Sequence, residues 1–82
     1  MNKEKLMYAL NHPDELPERA AVLLPSDKTQ VIILAKGETG YYPYQSYPTK
    51  EMAEETCEYM NQLYNCTKEE AEAMQILSMR SV

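Results

Sequence analysis

Apolar positions along the chain change their spacing twice, and the changes divide it into a helical start, a strand-rich middle and a helical end. From Lys3 to Asn11, Leu6 and Leu10 fall four apart with Met7 beside them, the spacing of a short helix with a narrow apolar face. His12-Pro13 closes it, because the residue before a proline is pushed out of the helical region. Asp14-Glu15-Leu16-Pro17 then reads as a turn or a single helical turn.

In the middle zone, Ala20–Leu24 and Thr29–Ala35 are rich in aliphatic residues, and Pro25-Ser26-Asp27-Lys28 between them is turn chemistry. The two runs predict an antiparallel hairpin. The second run is almost continuously apolar: Val31 and Ile33 point one way, Ile32 and Leu34 the other. A strand covered on both faces gives that pattern, so it is the expected centre of the sheet. After a turn at Lys36-Gly37-Glu38-Thr39-Gly40 comes a third strand, Tyr41–Tyr47, which Pro43 confines to an edge or cuts short.

From Thr49 the spacing becomes helical again. Thr49 suits an N-cap, and Ala53, Cys57, Met60 and Tyr64 form a stripe that Met52, Thr56, Tyr59 and Leu63 widen. Glu51, Glu54, Glu55, Glu58 and Gln62 take the opposite side, and Asn65 suits the C-terminal cap. Thr67-Lys68-Glu69-Glu70 fits a capping box, opening a third helix to about Arg80 with Ala71, Ala73, Met74, Ile76 and Leu77 as its apolar side. With so short a link, the last two helices are expected to form a tight hairpin. The fold expected is α+β: a short N-terminal helix, a three-stranded antiparallel meander, and a C-terminal helical hairpin packed on one face of the sheet.

Composition removes most chemistry from this frame. The 82 residues suffice for one small domain. The sole histidine is His12, and Cys57 and Cys66 are nine apart with no histidine near them, so neither a zinc site nor a local Cys-His pair is recognisable. Gly37 and Gly40 are the only glycines and flank a glutamate, which suits a turn and not a phosphate cradle. Asp14 and Asp27 have no regularly spaced carboxylate partner. No catalytic residue, cofactor site or metal site is assigned. A net charge of −5 disfavours nucleic acid and anionic membranes as partners. No apolar run approaches the ~18 residues of a membrane span, and no signal-type run follows Met1, so a cytoplasmic protein is expected.

The stretches Leu16–Asp27, Gly37-Glu38-Thr39-Gly40-Tyr41-Tyr42-Pro43 and Thr67–Met74 with Ser78-Met79 resemble a group of uncharacterised small proteins of gut Firmicutes, often associated with conjugative elements or prophages. The matching motifs are turns, caps and a core strand, so they carry over no catalytic residue. Members often continue into a Gly-Trp-containing tail, where this chain reads Arg80-Ser81-Val82. The resemblance implies a bacterial cytoplasm and an accessory role on a mobile element.

Two features remain that could carry function. Tyr41, Tyr42, Tyr44 and Tyr47 fall within seven positions; by alternation Tyr42 and Tyr44 share one face, and Tyr41 and Tyr47 the other. These rings either fill a core that has no Phe or Trp, or offer a contact surface to a partner. Glu51, Glu54, Glu55 and Glu58 form an acidic stripe, which is either a solvated face or an imitation of a phosphate backbone. The sequence thus points to a small non-enzymatic protein–protein interaction module, its partner an unidentified protein or a second copy in a homodimer. The alternative is an acidic, DNA-mimicking decoy that binds a host nucleic-acid-binding protein.

Overall fold

The structure, a computed structural model, describes residues 2–79. It contains α1 (Lys3–Asn11), a 3-10 turn (Pro13–Glu15), β1 (Arg19–Leu24), β2 (Asp27–Ala35), β3 (Tyr42–Ser46), α2 (Lys50–Leu63) and α3 (Lys68–Ser78). The expected extension of the third helix to Arg80 lies outside the described residues. No helix among the described residues is long and apolar enough to cross a membrane.

The strands form an antiparallel meander in the order β1-β2-β3, with β2 central. Its two rows of side chains feed two separate cores. Ile32 and Leu34, with Ala20 and Val22 of β1, pack against Ala73 and Met74 of α3, Ala9 of α1, and Leu16 and Cys66. Val31 and Ala21, backed by Leu23 and Ile33, pack on the opposite face against Ala53 and Cys57 of α2, with Met60 and Tyr47 alongside. The helices therefore cover both faces of the sheet, as the two-sided apolar pattern of β2 predicts, and not the single face on which they were expected to pack.

The same observation corrects the tight helical hairpin. A short link does join α2 to α3, but it carries the chain from one face of the sheet to the other. Asn65, at φ 54°, follows the end of α2 in the left-handed region. The Cys66 amide donates to Asn61 O (2.8 Å) and the Asn65 amide to Gln62 O (3.2 Å), the paired bonds of a Schellman cap. Thr67 and Glu70 then complete the capping box: the Glu70 amide donates to Thr67 Oγ1 (3.1 Å) and the Thr67 amide to Glu70 Oε1 (2.9 Å). Each helix buries its small-residue stripe against its own face of the sheet. The apolar positions outside those stripes stay exposed: Met7 on α1, Ile76 on α3, and Met52, Tyr59 and Leu63 on α2.

Asn61 caps the middle of one edge of the sheet. The Lys36 amide donates to Glu18 O (2.9 Å), and antiparallel alternation then turns the backbone of Ala21 away from β2, toward the free edge of β1. There the Asn61 carboxamide acts as a one-residue strand. Its Oδ1 accepts from the Ala21 amide (2.7 Å) and its Nδ2 donates to Ala21 O (2.9 Å).

Candidate functional site

β3 lies at the other edge of the sheet, and all five of its residues are exposed. The register places Tyr42 opposite Ile33, Pro43 opposite Ile32, and Gln45 opposite Val31. Tyr44 is therefore an extra residue, a bulge that breaks the alternation assumed from the sequence. Directly paired residues share a face, so Tyr42 projects on the α2 side with Ile33. Tyr47 packs into the core on that same side. The expected grouping of Tyr41 with Tyr47 therefore does not hold, because the bulge brings Tyr47 to the face of Tyr42. Tyr41 instead borders a shallow groove with Leu24, Gly40 and Met79. Three of the four rings, Tyr41, Tyr42 and Tyr44, are 46%, 55% and 52% exposed, and only Tyr47 fills core.

Tyr42 is held in place. Its hydroxyl donates to Glu38 Oε1 in the preceding turn, and this bond, reinforced by the carboxylate's charge, raises the phenol above its ordinary pKa. The turn itself is tethered by the Gly40 amide, which donates to Ser78 O at the end of α3 (3.0 Å). Gly40 needs its φ of +82° to make that approach.

Beside β3 rises a second apolar strip. α2 packs over β1 and β2, with Asn61 on the flank that overhangs β1. At helical spacing, Met52, Thr56, Tyr59 and Leu63 lie on the other flank, above the β3 side of the sheet. Met52, Tyr59 and Leu63 are 45%, 63% and 64% exposed. In the sequence these residues read as a wider buried stripe. They are exposed because Ala53 and Cys57 bring the helix axis down onto Ala21 and Val31, so that only the narrow central stripe faces the sheet. The result is a step: the α2 flank is its wall, and the Tyr42 face of β3 its floor.

The acidic residues Glu51, Glu54, Glu55 and Glu58 are all exposed on the outer side of α2, as the sequence pattern requires. Glu54 is partly neutralised by Lys50 (3.9 Å). Seven residues of helix span ~10 Å, over which duplex DNA carries about six charges. Four carboxylates, one of them paired, are a sparse imitation of that field.

The groups that could do chemistry are dispersed. His12 stacks on Tyr8 with ring centroids 3.8 Å apart and has its Nδ1 2.8 Å from Tyr8 O, and Tyr8 donates its hydroxyl to Glu15 Oε1 (2.8 Å). This cluster was invisible in the sequence because the 3-10 turn alone brings Glu15 back over α1. It lines a small cleft with Lys5, Glu69 and Glu70 that contains neither cysteine. Cys57 and Cys66 instead border the groove along the free edge of β1 with Leu23 and Asn61. Burial pushes the Cys57 thiol up to about 11 and the Cys66 thiol up to about 12, so both stay protonated at neutral pH. Among the described residues no three His, Cys, Asp or Glu side chains are grouped so as to hold a metal ion. Comparison with models of known families, with curated proteins and with solved structures finds no match for the chain.

Proposed function

We propose that this protein is a small non-enzymatic module that binds another protein through the step between β3 and α2. The observation that supports this reading is where its exposed rings and aliphatic chains lie. Tyr42 and Tyr44 lie on the exposed edge strand β3, Met52, Tyr59 and Leu63 on the flank of α2 above it, and the phenol of Tyr42 is already fixed by Glu38. Tyrosine gives large contact area at low entropic cost, and a ring already held in position loses less freedom on binding. The mobile-element role in a bacterial cytoplasm belongs to the same proposal and is supported by the sequence resemblance.

The test compares wild type with a Tyr42→Ala/Tyr44→Ala variant as baits in lysate of the cells that make the protein. Both residues are exposed, so the variant is expected to keep its circular dichroism spectrum and melting temperature. A protein retained by the wild type and lost by the variant supports the reading. Equal retention by both, or retention by neither, overturns it.

A further inference from the structure

We propose, resting on the interaction surface above, that the element docking there is a cationic amphipathic helix lying alongside α2 and over β3. The space comes first. Strands lie ~4.8 Å apart, and a helix with its side chains is ~10 Å across, so α2 covers β1 and β2 and leaves β3 bare. A helix packed against another sits ~8–10 Å from it, which places a second helix over β3. Adding a strand to the β3 edge is the poorer use of this surface. Ile32 directs its backbone to β1, so Pro43 opposite it faces the free edge without an N–H, and the bulge at Tyr44 interrupts the ladder beside it.

The lining fits the apolar stripe of such a helix. Met52, Tyr59 and Leu63 follow one another along the wall at helical spacing, and Tyr42 with half-buried Ile33 forms the floor. The charge then selects its polar face. Glu51 and Glu55 lie along the top of the wall and Glu38 stands at the edge of the floor, while Lys50 is engaged with Glu54. Among the described residues, Arg19 is the one cation near enough to act on the Tyr42 phenol. Exposed tyrosine faces also attract cations. A second copy of this chain is a poor occupant, because a two-fold contact through α2 sets the same carboxylates against one another in a protein of net charge −5.

The probe is a fluorescent 18-residue peptide of leucine and lysine with leucines at i, i+3, i+4 and i+7; its control has glutamate for every lysine. Anisotropy is expected to show binding of the lysine peptide to the full chain, weakening as salt rises, and none of the glutamate peptide. A Tyr59→Ser/Leu63→Ser variant is expected to lose at least about tenfold in affinity. A Glu51→Gln/Glu55→Gln variant should lose about threefold and part of the salt dependence. Met7→Ser, an exposed change on α1, leaves binding unaltered. All four substituted positions on α2 are exposed, and circular dichroism confirms the fold of each variant.

Equal binding of both peptides overturns the cationic choice. Binding of the lysine peptide that ignores Tyr59→Ser/Leu63→Ser overturns the location, and absence of binding by either peptide overturns the helical occupant. A chain that sediments as a dimer dissociated by Tyr59→Ser/Leu63→Ser overturns the proposal in favour of a second copy. If one of these results appears while capture dependent on Tyr42 and Tyr44 persists, the surface stands and only its occupant is wrong. If that capture also fails, the interaction reading fails with it.

Discussion

Replacing Asn61 by alanine removes both hydrogen bonds that close the β1 edge, at 2.7 and 2.9 Å. Ala21 is 1% exposed, so its amide and carbonyl lose their partners in a nearly dry place. A stranded buried backbone group costs about 1–3 kcal/mol. The groove along Leu23 gives water some access to this edge, which puts the sum near the low end, at about 2–3 kcal/mol. A domain of this size has only ~4–12 kcal/mol of stability in all, and its melting temperature should fall by about 10–20 °C. Urea titration is the assay, with an unchanged slope and a lower midpoint expected. The neighbouring exposed change Gln62→Ala should stay within about 0.5 kcal/mol of wild type. The Asn61→Asp variant gives a second reading of the same contact. Its carboxylate still accepts from the Ala21 amide but opposes Ala21 O, which holds its folded pKa above the unfolded value of ~3.9. Such a group contributes its stability fully below the unfolded pKa and loses it as pH rises through the folded one. The variant should therefore approach wild type in acid and fall away toward neutrality. A loss below about 0.5 kcal/mol for Asn61→Ala, or a difference between Asn61→Asp and wild type that does not change with pH, refutes the clamp.

Three further outcomes follow from local chemistry. Thr67→Ala breaks the capping box of α3 and should cost about 1 kcal/mol by urea titration; combining it with Glu70→Ala should cost less than the separate losses added together. The backbone amide of Asn2 donates to Glu69 Oε2 (2.9 Å) and lowers that carboxyl's pKa, so its stabilising share is present above the ordinary glutamate pKa and is lost as pH falls through the lowered one. Carboxyl NMR titration should find Glu69 below the ordinary value, and Glu69→Gln should remove that part of the acid sensitivity. Cys57 and Cys66 should resist a disulfide reagent at pH 7.5 in the native protein and react only on unfolding; rapid labelling of either in the folded state contradicts their burial.

The legible parts of the fold were those decided by a few neighbouring residues. Val31-Ile32-Ile33-Leu34 could only be a strand with two covered faces, and Thr49, Asn65 and Thr67 announced helix ends through their own side chains and backbone preferences. What remained hidden was set by long-range placement. The link after α2 looks the same whether the next helix folds back on it or crosses to the other face of the sheet. Met52, Tyr59 and Leu63 are as hydrophobic as core residues, and only the closeness of Ala53 and Cys57 to the sheet reveals that they stand outside. For the candidate site, the tyrosine cluster was visible but its sorting was not, because nothing in Tyr42-Pro43-Tyr44-Gln45 declares a bulge. The contact of Asn61 with Ala21 spans forty positions and had no local signal.

The plug at Ala21 gives the sheet a polarity of assembly. An open sheet with two free edges can add copies at both, and head-to-tail addition has no natural end. Here one edge is occupied by the molecule's own side chain. A strand adding at β1 would first have to displace Asn61, so in the folded protein edge-to-edge association is biased toward β3 meeting β3, a contact that uses the open edge of each copy. A contact of that kind closes at two molecules, so one carboxamide in α2 works against open-ended stacking of the sheet.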